Sequence, residues 1–293
     1  MKLLSKLFYS AAIAGSLVLA SCDDNENDSN DTSVLTLNLK GLESLGDGFA
    51  YEGWIMVDGA PKSTGTFTVD GAGKLSATTF MIDEDDLAAA TAFVLSIEPS
   101  PDTDPAPAAT KLLVGEFSGN TASVSTGTVG SDFDKATGKF IVKTPTTTTT
   151  DDDYSGIWFL DNSGAMMEAG LDLPELSPGW KYEGWVVIDG TPVTTGTFTM
   201  TDKADDAAPF SGSDASGPAF PGEDFIMNAP SGLTFPTDIQ GGTAVISIEP
   251  DPDNSAAPFV LKPLVKMIPD PATGVIGMDN NTSASFPSGS VSR

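Results

Sequence analysis

The sequence has no histidine, and its single cysteine stands at position 22. Without imidazole there is no Ser-His-Asp triad and no histidine-ligated metal. With one cysteine there is no internal disulfide, so the fold rests on its apolar core. Basic side chains are also scarce, 14 Lys and Arg against 41 Asp and Glu, for a net charge of −27. Binding nucleic acid, or anionic headgroups by charge, needs a basic footprint, and both classes are excluded. Long apolar runs are missing too. The run from Leu7 to Leu19 falls short of the roughly 20 residues that cross a bilayer of about 30 Å.

What that short run does is mark export. Lys2 and Lys6 precede it, and Leu19-Ala20-Ser21-Cys22 follows as a lipobox, small residues ahead of an obligatory cysteine. Residues 1–21 are therefore expected to be a lipoprotein signal peptide, and Cys22 the lipidated residue that attaches the chain to a membrane. Each buried CH2 of the acyl chains adds about 0.8 kcal/mol, so several chains on one cysteine hold firmly. Residues 22–33 carry Asp23-Asp24-Asn25-Glu26 and further polar residues through Asp31, a solvated acidic tether. Acidic residues directly after a lipidated cysteine resemble the tags that send bacterial lipoproteins to the outer face of the outer membrane. The expected address is the cell envelope, at the outer membrane, with the acidic run read either as a surface-export tag or as a tether alone.

The remainder contains itself twice. Tyr51-Glu52-Gly53-Trp54, Asp58-Gly59, Pro61 and Thr64-Gly65-Thr66-Phe67-Thr68 return as Tyr182-Glu183-Gly184-Trp185, Asp189-Gly190, Pro192 and Thr195-Gly196-Thr197-Phe198-Thr199. Val94-Leu95-Ser96-Ile97-Glu98-Pro99 returns as Val245-Ile246-Ser247-Ile248-Glu249-Pro250, each running into an Asp/Pro-rich loop. After it, Lys111–Val114 pairs by composition with Val260–Lys262, and Asn120–Val124 with Asn281–Ser285. The expected division is a β domain over 34–143, a Thr/Asp-rich linker over 144–153 and a second β domain over 154–293. The second copy carries an insertion around 201–243 holding Phe210, Phe220, Phe225 and Phe235, read as a loop folded over its own sheet or as a recognition loop.

Each copy reads as β. Leu35-Thr36-Leu37-Asn38-Leu39 alternates apolar and polar, and Asp58-Gly59 between β-rich runs is a hairpin turn that needs positive φ. Only Asp83 to Thr91 looks helical, with acidic residues in its first turn. The expected fold class is all-β, two tandem antiparallel β-sandwich-like domains.

The repeated pattern resembles the extracytoplasmic C-terminal domain of anti-sigma-K factors, over about 35–129 and again over about 157–291. In that family the module is the outer part of a membrane-spanning regulator whose cytoplasmic domain holds a sigma factor. No cytoplasmic domain is legible in this sequence, so the resemblance implies the outer module used as a lipoprotein ectodomain, without the grip on a sigma factor.

Candidate sites are few. Asp102 and Asp104, and Asp251 and Asp253, have the Asp-x-Asp spacing that offers oxygens to calcium, though without the glycine and distal glutamate of an EF-hand. Trp158 and Trp180, with Phe220 and Phe225 beside them, are the candidates for an aromatic sugar-binding platform. Trp54 and Trp185 read as core anchors, Glu52 and Glu183 as solvent-side strand residues, and Glu98 and Glu249 as acceptors for neighbouring backbone. No residue set supports catalysis and no cofactor is required. The expected function is a non-enzymatic envelope lipoprotein acting through a protein partner, in sensing or in structure. The alternative is a surface glycan- or calcium-binding module.

Overall fold

The computed structural model describes residues 31–149, 153–253 and 255–293. The signal segment, Cys22, the acidic run through Asn30 and residues 150–152 lie outside them. The first copy supplies β1 (Thr32–Lys40), β2 (Phe49–Val57), β3 (Ala60–Phe67), β4 (Thr79–Asp83), α1 (Glu84–Ala89), β5 (Ala92–Pro99), β6 (Lys111–Ser118), β7 (Thr121–Val124) and β8 (Thr137–Val142). The second supplies β9 (Gly156–Trp158), β10 (Leu160–Asp161), β11 (Glu168–Ala169), β12 (Leu171–Asp172), β13 (Trp180–Ile188), β14 (Thr191–Phe198) and β15 (Gly222–Asp224). It continues with β16 (Thr243–Pro250), β17 (Leu264–Met267), β18 (Ile276–Gly277), β19 (Asp279–Asn280), α2 (Thr282–Ser285) and β20 (Ser288–Ser292). Strand pairing is antiparallel throughout, as expected of an all-β chain with short connections.

Local chemistry makes the same pieces in both copies. Asp58 and Gly59 take φ of 51° and 78°, and Asp189 and Gly190 take 49° and 80°, the left-handed pair that a two-residue hairpin turn demands. In each hairpin the register slips at the Gly-Trp step, Gly53/Trp54 and Gly184/Trp185, a bulge that re-aims the indole. Tyr51 stacks on Phe67 and Tyr182 on Phe198, with ring centroids 5.5 and 5.7 Å apart. Helix α1 begins where the acidic run predicts, and the Asp83 carboxylate accepts from Asp86 N at 3.0 Å.

The first copy's strands form an eight-stranded sheet in the order β3-β2-β5-β6-β7-β20-β1-β4. The sheet curls until its edges meet: Phe67 of β3 and Phe80 of β4 lie 6.3 Å apart. The second half follows the same path in two pieces, β14-β13-β16-β17-β19 and β12-β8-β9-β15, with β18 on β8. Since β18 and β19 are separated only by Met278, the pieces join as β14-β13-β16-β17-β19/β18-β8-β9-β15.

The two orders match position for position, with one exchange. In the first sheet the slot between β7 and β1 is filled by β20, the last strand of the second copy. In the second sheet the corresponding slot beside β9 is filled by β8, the last strand of the first copy. Each copy completes the other's sheet. Two sheets do arise from two copies, but the boundary expected at 144–153 is crossed in both directions. A single apolar cluster contains Leu35, Phe93 and Leu113 together with Phe159, Ile246 and Val291, and Thr32–Arg293 is one compact unit.

Two more expectations change. The threonine stretch, read as a solvated linker, is anchored at its start: Thr144 is 3% and Thr146 2% exposed, because their polar groups find partners inside. The C-terminal stretch, read as part of the second domain, is instead a strand of the first sheet. Its end is fastened there by Arg293, whose guanidinium donates to Leu87 O and Ala90 O at 2.7 Å and lies 4.6 Å over the Phe117 ring. A cation over the last carbonyls of α1 is also favoured by the helix dipole.

Candidate functional site

Both copies build the same polar relay on one face of the central strand pair. Trp54 Nε1 donates to Ser96 Oγ at 2.8 Å, Ser96 donates to Glu98 Oε1, and Ala108 N donates to that same oxygen at 2.8 Å. Trp185 Nε1 donates to Ser247 Oγ at 2.8 Å, Ser247 donates to Glu249 Oε1, and Phe259 N donates to it at 2.9 Å. The reading of Glu98 and Glu249 as backbone acceptors therefore matches the geometry. Glu52 receives Ser63 Oγ–H, and Glu183 receives Thr194 Oγ1–H in the same way.

Placing Glu52 and Glu183 on the solvent side does not match. They are 7% and 5% exposed, and Glu98 and Glu249 are 2% and 1% exposed. Period-two alternation assigns one face of a strand to water only when nothing covers that face. Here the Pro-rich loops after β5 and β16 fold back over it, and their backbone N–H groups bond the glutamates.

The copies diverge at the second oxygen. Glu183 Oε2 and Glu249 Oε2 are buried with no hydrogen-bond partner. Burial pushes Glu183 up to about 7 and Glu249 up to about 8, the second reinforced by the charges of Asp253 and Glu183. One carboxylate oxygen from each of Glu183, Glu249 and Asp253 lies within 4.8 Å of the others. The remaining Asp-x-Asp candidates are dispersed. Asp102 accepts Asp104 N and Asp104 accepts Ala106 N, both at about 3 Å in local turns. Asp251 faces Lys181 at 3.9 Å. The spacing signal missed Glu183 and Glu249 because they reach Asp253 across strands. The repeat alignment does carry the trio, since Glu52, Glu98 and Asp102 hold the corresponding places in the first copy.

The aromatic platform is not a surface. Trp158 and Trp180 are each 4% exposed, and Phe225 is fully buried. Phe220 packs with Ile141, Trp158 and Leu160. Phe225 joins Phe210 and Phe235 in a cluster with centroids 5.5–6.2 Å apart. Trp180 packs on Phe259 at 6.1 Å. The insertion of 201–243 therefore folds over its own sheet, its β15 pairing with β9. With all four tryptophans at 4% exposure or less, no stacking face is offered to a sugar.

Within that insertion lies a second carboxylate group. Glu223 is fully buried, accepting from Ser211 Oγ and Phe210 N, and Asp205 accepts from Gly222 N at 2.9 Å. Burial pushes Asp205 up to about 8 and Glu223 up to about 7, and their neighbouring carboxylates add to both shifts. The folded protein thus keeps protons that the unfolded chain releases near pH 4. These carboxylates make stability fall as pH rises from about 4 through about 8. Asp161, held below the usual range by Lys139 and Ser163, acts in the opposite sense and only at lower pH. In chelator-treated buffer the melting temperature is expected to drop by about 5 °C or more between pH 5.5 and pH 8.5. Asp205→Asn should flatten that slope; a melting temperature that rises over this interval would contradict the assignment.

A family model described as Anti-sigma-K factor rskA, C-terminal, matches residues 26–112. No curated protein and no solved structure matches the chain. The match runs through the hairpin, α1 and the first Ser-Glu relay, as far as the start of β6. The second copy repeats the same strand registers in β13, β14 and β16. Residues 26–112 resemble the C-terminal domain of anti-sigma-K factors, and the second copy repeats the strand order of that stretch.

Proposed function

We propose that this is a lipid-anchored cell-envelope ectodomain that works by protein–protein contact and not by catalysis. The likeness of residues 26–112 to a domain of anti-sigma factors, proteins that act by binding another protein, carries the reading. The lipobox at Cys22 and the acidic tether supply the address, at the outer membrane. Among the described residues, no helix is long and apolar enough to cross a membrane.

The surface offers exposed apolar side chains of suitable chemistry. Six of the eight exposed large apolar side chains among the described residues are methionines, whose flexible thioethers adapt to varied partners. Met81, 64% exposed on edge strand β4, sits directly across from Val34, 46% exposed on β1. In intact cells, a photo-crosslinking residue at Met81 is expected to give one discrete protein adduct, with an alkyne fatty acid incorporated at Cys22. Cys22→Ser should abolish both the label and the adduct and shift the protein to the soluble fraction. A chain that keeps Cys22 but takes no label, or gives no adduct from position 81, would refute the reading.

A further inference from the structure

We propose that Glu183, Glu249 and Asp253 form a binding site for one divalent cation of the calcium class. The inference stands apart from the protein-contact reading and rests on three observations. The first is proximity: β13, the end of β16 and the loop beyond it bring one oxygen from each residue within 4.8 Å of the others. Calcium binds oxygen at about 2.4 Å, so ligands on opposite sides of the ion stand about 4.8 Å apart, and all three can touch one ion.

The second is unmet demand. In each glutamate Oε1 is already committed, to Thr194 in one case and to Ser247 and Phe259 N in the other. Oε2 of both is buried without a partner, in side chains 5% and 1% exposed. A carboxylate oxygen shut away from water with nothing to accept from is costly, and two side by side are more so. Asp253 uses Oδ1 for Ser255 N at 2.8 Å, which leaves Oδ2 for an ion. The nearest basic groups do not discharge the trio. Lys181 reaches Asp206 at 3.3 Å and Asp251 at 3.9 Å, and Lys262 feels the charges of Glu43 and Glu249 through space.

The third is access. A cavity of about 70 Å³, lined in part by Glu249, Pro250, Pro252, Asp253 and Phe259, adjoins the trio, and Asp253 is half-buried at its side. Water entering there completes a coordination shell of six to eight. The donors are all hard oxygens, which selects against zinc and copper. The span suits calcium better than magnesium, whose shell at about 2.1 Å is tighter and more rigid. In the first copy neither Glu52 nor Glu98 has an oxygen that is both buried and unpartnered, so the stoichiometry is one ion per chain.

The competing account is a proton shared between Glu183 and Glu249. Calorimetric titration of the full, chelator-treated chain with calcium chloride, alongside melting curves, separates the two. One binding event is expected, with a melting-temperature rise of about 3 °C or more at millimolar calcium. Terbium in the same site should show emission sensitised by Trp185, whose indole is two hydrogen bonds from Glu249. Asp253→Asn, in the loop, and Glu249→Gln should each weaken binding at least about tenfold, while Glu98→Gln leaves it unchanged. The proposal is overturned if calcium gives neither heat nor a melting shift, or if Asp253→Asn and Glu249→Gln bind as the wild type does.

Discussion

Residues 31–143 produced alone are expected not to fold, and residues 153–293 produced alone are expected to fare no better. Produced together, the two pieces should recover a single cooperative unfolding transition. The reason is the reciprocal exchange of last strands. Without β20, five backbone positions of β1 and four of β7 lose their register partners, and two strand edges open inside what should be a continuous sheet. The core also loses Val291, fully buried, and α1 loses the Arg293 guanidinium over its last carbonyls. Without β8 the second half loses Phe140, fully buried and 6.4 Å from Phe159, and the strand that joins β9 to β18. A point version in the whole chain is Val291→Asp, which puts a charge in that core and should cost about 4 kcal/mol or more by urea denaturation. Circular dichroism and proton–nitrogen correlation spectra of the separate pieces check the larger claim. Two well-dispersed spectra, each with its own melting transition, would mean independent domains and would contradict it.

That result bears on what can be read from a sequence of this kind. The hairpins, α1 and the duplicated relay were legible because each is specified within a few residues. Asp-Gly supplies its own positive φ, and Asp83 caps the helix that it precedes. Strand exchange is specified nowhere locally. The segments Thr137–Val142 and Ser288–Ser292 both fit the slot between a copy's first strand and its β7-like strand. Which one enters which sheet depends on the path of the chain, and alternation of side chains does not encode that path. Composition misled at the ends of the copies. Asn281–Ser285 resembles Asn120–Val124, yet Thr282–Ser285 is helix α2 whereas Thr121–Val124 is strand β7. Register also shifts one match: Leu264 and Val265 pair with Ile246 and Val245 as Leu113 and Val114 pair with Leu95 and Val94. Lys111–Val114 therefore corresponds to Lys262–Val265, and the match that begins at Val260 starts two residues early.

The candidate trio shows the same division. Its members lie in blocks that the repeat identifies, but their meeting depends on a loop covering one face of a sheet. Binary patterning reports how often a side chain turns, not what waits on each side. In a chain with 41 acidic residues the default for a strand glutamate is solvent. The four glutamates of the relays break that default because hydroxyls and backbone N–H groups are supplied to them where they are buried.

Asp224→Ala is expected to destabilise the protein by about 3–5 kcal/mol, among the largest effects of any single substitution outside the apolar core. Asp224 is fully buried, and its carboxylate gathers three separate parts of the chain. Oδ1 accepts Trp158 Nε1 at 2.8 Å, and Oδ2 accepts both Thr146 N at 2.7 Å and Thr146 Oγ1 at 2.5 Å. Gly156 lies opposite it in the β9–β15 register, and a side chain at that glycine would collide with the carboxylate. Truncation to alanine leaves an indole N–H and a backbone N–H buried without acceptors, each at about 1–3 kcal/mol. It also frees the segment after Thr144 from the insertion, since Thr146 in turn receives Gly212 N on its hydroxyl and Asp214 N on its carbonyl. Asp224→Asn tests whether charge or shape matters. Its amide presents an NH2 either to the Trp158 indole N–H or to the Thr146 backbone N–H, each a donor only, so it should recover less than half of the loss. Asp214→Ala, which removes an exposed contact to Thr148 Oγ1 at 3.2 Å, should stay within about 0.5 kcal/mol of wild type. Urea denaturation gives the energies, and near-ultraviolet circular dichroism reports the Trp158 environment. If Asp224→Asn is as stable as the wild type, the carboxylate is not what ties the threonine segment, the insertion and β9 together.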